Sequence, residues 1–283
     1  MLTSRELMEE ASWRLAAAGV ENTREAVYIF EYVFGKRHFD PSLVITEEKT
    51  ALFRKLIGER CEGVPYQYII GRAPFLDMDL NVGPGVLIPR PETEVLAEWA
   101  ADIIITNSLS RALDLCSGTG CIAIAVSRLA PSCRVTCIEK SMDAYKYLLM
   151  NCREFASGTE CLNEDLFSYL PVHPEEFDII TCNPPYLTGR EMDELQKEVR
   201  REPREALFGG DDGLDFYRNM KPLIEKALKK GGFIAFEGGD EQLESIQDIY
   251  LENGSFEGEI SCDQFGMKRF FIGKKQKTVQ SDS

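Results

Sequence analysis

The chain opens with three stretches of helical periodicity. Thr3 and Glu6 have the spacing of a capping box, and Leu7, Met8, Ala11, Leu15 and Ala18 then recur on one helical face. Asn22 and Glu25 repeat that spacing ahead of Ala26, Ile29, Phe30 and Val33. Thr46 precedes a third stripe of Leu52, Phe53, Leu56 and Ile57. Gly19 and Gly35 punctuate the joins, so the pattern predicts a small helical bundle over residues 1–73. No residue in it is catalytic in type. Two readings stay open, an accessory cap and a docking module for a macromolecular substrate.

The period changes over residues 74–91. Phe75, Met78, Leu80 and Val82 are strand-like, Gly83-Pro84-Gly85 has turn chemistry, and Val86–Ile88 resumes, which predicts a β-hairpin linker. Its exit, Pro89-Arg90-Pro91-Glu92-Thr93-Glu94, suits the first turn of a helix and equally a substrate-facing loop. From Arg111 onward strand and helix alternate. Strands are predicted at Ala112–Leu115, Arg134–Ile138, Cys161–Leu162, Phe177–Cys182 and Phe233–Phe236, with helices between them, the one after Gly213 running to Leu228. Phe256–Ser261 and Arg269–Ile272 read as a closing antiparallel pair. Repeated βα units imply a doubly wound, mostly parallel α/β sheet, Rossmann-like, over residues 92–273. The polar tail 274–283 is expected to be disordered.

Composition narrows the function. The 283 residues leave room for one large domain and one small one. With 32 Lys and Arg against 47 Asp and Glu, the net charge of −15 disfavours a protein that grips nucleic acid by its phosphates. It accommodates an acidic enzyme with a basic protein partner, and solubility alone explains it as well. No apolar run approaches the ~20 residues of a membrane span, and MLTSRELMEE is no signal peptide, so no membrane association is expected. Nine cysteines scattered through apolar segments fit a reducing, cytoplasmic setting. There is no Cys-x-x-Cys, and His38 and His173 are remote from any cysteine cluster, so no metal site is expected.

The chemistry centres on FDIITCNPPY, 177–186. A buried strand ends near Cys182 and breaks into Asn183-Pro184-Pro185-Tyr186, where two prolines forbid strand or helix. Open α/β sheets place ligands at such carboxyl ends. The Asn183 side-chain oxygen and the Pro184 carbonyl could accept both N–H bonds of a planar NH2. They would stabilise positive charge developing on that nitrogen as it attacks a methyl group. Tyr186 could stack on the planar group. A proline-stiffened loop without a ligand is the alternative, and a methyl-donor site upstream decides between them.

Such a site has a candidate. Gly118-x-Gly120-x-x-Ala123 lies between strand and helix, and Glu139 ends the next strand, 19 residues after Gly120. The glycines allow close backbone approach at a helix N-terminus, and Glu139 can take both ribose hydroxyls. This pattern alone fits a nicotinamide cofactor as well as S-adenosylmethionine. The loop, however, opens as Asp114-Leu115-Cys116-Ser117, which suits a cationic, phosphate-free ligand. Asp165 is placed to accept from an adenine amino group beside Leu166. Together with the Asn183 elbow, these features favour S-adenosylmethionine, with S-adenosylhomocysteine as product.

The chain resembles the release factor glutamine methyltransferases (HemK/PrmC type), within the class-I S-adenosylmethionine-dependent methyltransferases. The likeness runs through PYQYIIGRAPF (65–75), GVLIPRPETE (85–94), LDLCSGTGCIAIA (113–125), FDIITCNPPY (177–186), REPREALFGGDDGLDFYR (201–218) and DQFGMKRF (263–270). The NPPY element is shared with nucleic-acid amino methyltransferases, whereas LIPRPETE and EPREALFGGDDGL are more specific. The resemblance implies N5-methylation of the glutamine in the Gly-Gly-Gln loop of class-1 peptide chain release factors. It also implies that the helical N-terminal domain docks that factor, and a monomer is expected. By position, Cys116, Ser117, Gly118, Thr119 and Gly120 line the methionine part of the cofactor and Glu139 binds ribose. Asp165 and Leu166 flank adenine, and Asn183, Pro184, Pro185 and Tyr186 hold the glutamine amide. Two departures stand out. Cys116 replaces the family's usual glycine, which requires either φ below zero or strain there, and Leu166 stands where some members carry tryptophan. A nucleic-acid amino methyltransferase and a non-catalytic cofactor-binding protein remain the rival readings.

Overall fold

The computed structural model describes residues 3–40 and 43–277. Helices α1 (Ser4–Ala17), α2 (Glu25–Phe34), α3 (Glu47–Cys61) and α4 (Tyr66–Ile70) come first. The Thr3–Glu6 capping box forms in full at the start of α1, and Gly35 closes α2 in the left-handed conformation. Leu7, Ile29, Phe30 and Phe53 are fully buried between these helices. These elements belong to a compact unit of residues 1–72 that also takes in Val82–Pro84 and Gln196–Arg201. Inside it, the buried Arg60 guanidinium pairs with Glu25 and with Glu198, the latter at 3.3 Å.

The second unit comprises residues 73–81, 85–195 and 202–283. It holds most of a two-stranded sheet, β1 (Arg72–Phe75) and β2 (Met78–Asn81). The hairpin therefore turns at Leu76–Asp77, not at Gly83-Pro84-Gly85 as the turn chemistry suggested, and Val86–Ile88 is not a strand. The cause is tertiary: the Glu94 carboxylate accepts from the Leu76 N–H at 2.7 Å, and Phe75, Met78 and Leu80 are buried in the core. Leu76 sits at φ 52 to make the turn.

After α5 (Pro91–Asn107), the main sheet is built from β3 (Arg111–Leu115), α6 (Cys121–Leu129), β4 (Arg134–Ile138), α7 (Met142–Phe155), β5 (Glu160–Leu162), α8 (Leu166–Tyr169) and β6 (Phe177–Cys182). Then follow α9 (Gly189–Glu194), α10 (Asp215–Ala227), β7 (Leu228–Glu237), α11 (Leu243–Leu251), β8 (Phe256–Cys262) and β9 (Lys268–Lys275). Strand order is β5-β4-β3-β6-β7-β9-β8, with the first five parallel and β9 antiparallel to both neighbours. This is the doubly wound α/β sheet that the strand–helix alternation predicts. Helices α5, α6 and α7 pack one face and α8, α10 and α11 the other.

Two boundaries differ from expectation. Leu228 opens β7 and does not end the preceding helix, because it pairs with Phe177 while Lys229 bonds Asp178 at 2.8 Å. Strand β9 runs through Lys274 and Lys275, which the polar-tail reading had placed outside the fold. Lys275 Nζ is held there by the Glu225 and Leu228 carbonyls. The rest of that expected tail, from residue 278, lies outside the described residues. Among the described residues no helix is long and apolar enough to cross a membrane.

Register positions the site. Leu162, Ile138, Leu115, Cys182 and Phe236 pair successively across the five parallel strands. The next residue on each strand therefore falls in one row along the carboxyl edge: Asn163, Glu139, Cys116, Asn183 and Glu237.

Candidate active site

A cavity of about 470 Å³ opens on this edge. Its wall includes Cys116, Ser117, Gly118 and Thr119 from the loop after β3, Glu139 after β4, Asp165 and Leu166 after β5, and Asn183 and Pro185 after β6. Gly120, Pro184 and Tyr186 are not on the wall. Gly120, at φ 82, caps α6 and faces the core: a Cβ there would lie 2.6 Å from Leu148 Cδ1. Tyr186 packs against the apolar cluster beneath the elbow, and its carbonyl accepts from Gln242 at 2.8 Å.

Local geometry holds the loops rigid. Cys116 takes φ 55, so the residue without glycine's freedom adopts the left-handed conformation and carries the strain. Both Glu139 oxygens are anchored, one accepting from the Gly118 N–H at 2.8 Å and the other from the Ser141 N–H at 2.7 Å. Each keeps a second lone pair for a ligand hydroxyl. Burial holds this carboxyl above its ordinary range, against those two N–H groups. The Asn163 amide ties down the Glu139 and Lys140 carbonyls. Asp165 caps α8 by accepting from the Phe167 N–H at 2.9 Å and pairs with Lys140 at 2.8 Å. Burial raises Asp165, but Lys140 and that N–H outweigh it and leave its pKa depressed.

At the elbow, the Asn183 amide nitrogen donates to Thr93 Oγ1 at 3.3 Å, and the Thr93 hydroxyl donates to Glu237 at 2.7 Å. When Glu237 is ionised it accepts the Thr93 proton, so the Thr93 oxygen takes an N–H from Asn183 and the Asn183 oxygen is left to accept. Glu237 is almost wholly buried, and burial pushes its pKa up to about 7 against the hydrogen bond from Thr93. Neither Thr93 nor Glu237 stands out in the sequence as a site residue. The available signal for Glu237 was an acidic residue closing an apolar strand, the pattern that marks Glu139.

The donor set tests which ligand fits. Charged wall residues are Glu139, Glu164, Asp165 and Glu205 against Lys140 and Arg90. Both cations are already engaged, Lys140 by Asp165 and Arg90 by Glu202 at 2.6 Å. One oxygen of buried Asp114 accepts from Thr181 at 2.7 Å and the other has no hydrogen-bond partner. The acidic residues of the wall suit a cationic ligand, and the wall offers no free cation to a pyrophosphate. Cysteines near the site are poor nucleophiles, since burial pushes the Cys121 thiol up to about 12 and raises Cys182 as well.

Comparison with known proteins agrees with the geometry. Residues 93–212 match the methyltransferase small domain, and residues 6–71 match the PrmC N-terminal domain. A release factor glutamine methyltransferase from Thermodesulfovibrio yellowstonii is 40% identical over 239 residues, 83% of this chain and 85% of that protein. One from Corynebacterium glutamicum is 33% identical over 97% of this chain and all of its own length. The chain belongs to the release factor glutamine methyltransferase family. It is a methyltransferase by that membership. The fold is also that of solved methyltransferases: the hMettl16 catalytic domain, crystallised with an RNA hairpin, gives a TM-score of 0.55 at 13% identity. It covers 84% of this chain and 86% of that one. A Pyrococcus furiosus methyltransferase gives 0.52 at 19% identity, over 71% of this chain and 91% of its own.

Proposed function

We propose that this protein methylates the side-chain nitrogen of the glutamine in the Gly-Gly-Gln loop of a class-1 peptide chain release factor, using S-adenosylmethionine in the cytoplasm. The reading is carried by the Glu237–Thr93–Asn183 chain, which engages the Asn183 NH2 group and leaves its oxygen as an acceptor. Relatives named release factor glutamine methyltransferase support it.

The cofactor supplies an electrophilic methyl group when bound. Cys116 to Thr119, Glu139, Asp165 and Leu166 would hold it, the carboxylates matching its hydroxyl and amino groups and the acidic wall its positive charge. Asn183 and the rigid Pro184-Pro185 elbow orient a planar amide. Acceptors on both of its N–H bonds weaken the nitrogen's conjugation and favour the positive charge that grows there. No strong base is needed, because the proton can leave after the methyl has arrived. The helical unit of residues 1–72 serves as the docking module, and exposed aromatics such as Trp13 and Phe39 suit a protein partner.

The test incubates the purified protein with methyl-labelled cofactor and a purified release factor, followed by mass spectrometry of the Gly-Gly-Gln peptide. One methyl on the glutamine is expected. Label in DNA or RNA controls, with none in the release factor, would overturn the reading.

A further inference from the structure

Behind the glycine loop, three cysteines from three elements converge. Cys137 of β4 and Cys161 of β5 are direct partners across the parallel pair, and Cys152 comes from α7, which covers them. Their sulfurs all lie within 4.8 Å of one another, and the Cys137 S–H donates to the Cys161 sulfur at 3.5 Å. Cys137 and Cys152 are buried, whereas Cys161 is half-buried on the edge strand of the sheet. Among the described residues no His, Asp or Glu completes the group.

We propose that Cys137, Cys152 and Cys161 form a three-sulfur site for a soft, thiophilic metal ion, best suited to Cu(I). Three sulfurs around an ion at the ~2.3 Å thiolate–metal length lie about 4 Å apart in a trigonal plane. The Cys137–Cys161 separation of 3.5 Å is a little shorter than that value, and no separation in the group exceeds 4.8 Å. Thiolate donors select soft ions. The missing fourth ligand disfavours Zn(II), which prefers a closed tetrahedron in structural sites. Each sulfur that binds supplies a lone pair to the ion and gives its proton to solvent, and no electron is transferred. Cys161, nearest to solvent, provides the way in. The site adjoins the glycine loop directly: the Cys152 sulfur lies 3.6 Å from where a Cβ on Gly120 would stand.

The experiment titrates the full chain, reduced and metal-free, with Cu(I) in the absence of oxygen against the chelator bicinchoninate. The protein is expected to withdraw one ion per chain, with a sulfur-only copper shell by X-ray absorption. Cys161→Ser should lower the affinity by at least about 100-fold, the upper end of what outer-shell changes cost at metal sites. Cys262→Ser, at an exposed cysteine of β8, should leave it unchanged. If Cys161→Ser does not fold by circular dichroism, Cys152→Ala is read in its place. Copper left on the chelator, equal uptake by the cluster variant, or Zn(II) displacing Cu(I) would overturn the proposal.

Discussion

The Thr93 hydroxyl donates to the buried Glu237 carboxylate at 2.7 Å, and its oxygen receives the Asn183 amide from the other side. Thr93 thus acts through Asn183. Replacing it with valine removes both bonds while keeping the shape. A lost partner in a buried chain costs about 1–3 kcal/mol, so kcat should fall roughly 10- to 100-fold. Cofactor affinity, measured by calorimetry, should stay nearly constant, and Thr93→Ser should recover most of the rate. Valine at full activity would rule out the positioning role.

Asn183 itself should be indispensable to turnover. Loss of one oriented group at a developing charge costs on the order of 10²–10³ in rate, and Asn183→Ala also frees the elbow. Turnover is expected to vanish into background while cofactor binding is largely spared. Equal loss of both would contradict the assignment of Asn183 to the amide.

The two glycines of the loop should separate by phenotype. At Gly120, alanine combines a φ of 82 with a Cβ only 2.6 Å from Leu148. Strain and overpacking together should destabilise the fold by roughly 2–4 kcal/mol, read by urea denaturation. At Gly118 the nearest atom to an added Cβ is 3.9 Å away, on Val86, and the residue lines the cavity. Gly118→Ala should therefore cost less stability and more cofactor affinity.

Stability should depend on pH through Asp114, which burial pushes from 3.8 up to about 7. Between those values the folded chain keeps a proton that the unfolded chain has lost. The slope is therefore negative, and stability declines as pH rises from about 4 to about 7, then levels. Glu237, also raised to about 7, adds in the same direction. Asp114→Asn should flatten part of that decline, seen as a smaller difference between urea midpoints at pH 5 and pH 8. An unchanged slope would mean that Asp114 ionises freely in the fold.

Much of the fold was legible because five parallel strands each announce themselves as short apolar runs. The glycine loop and the Asn183 elbow were legible for a similar reason, since glycine and proline constrain the backbone whatever surrounds them. The hairpin turn was not: Leu76 at φ 52 gives no signal, and the Glu94 carboxylate that secures it lies 18 residues away. Helix α9 carries a complete Thr188–Glu191 capping box, but it has no apolar stripe to draw attention. Thr93 and Glu237 are 144 residues apart, and only the packing of the α5 N-terminus against the end of β7 brings them together. The three clustered cysteines lack metal-ligand spacing for the same reason.

Glu202 is buried, and its two oxygens accept from the Ile88 N–H at 2.9 Å and from Arg90. One carboxylate thus fastens the Leu87–Arg90 rim of the cavity to the Pro203–Ala206 rim, segments more than a hundred residues apart in the chain. The two banks of the cleft are in effect one jaw, so anything that lifts one lip to admit a peptide must carry the other with it.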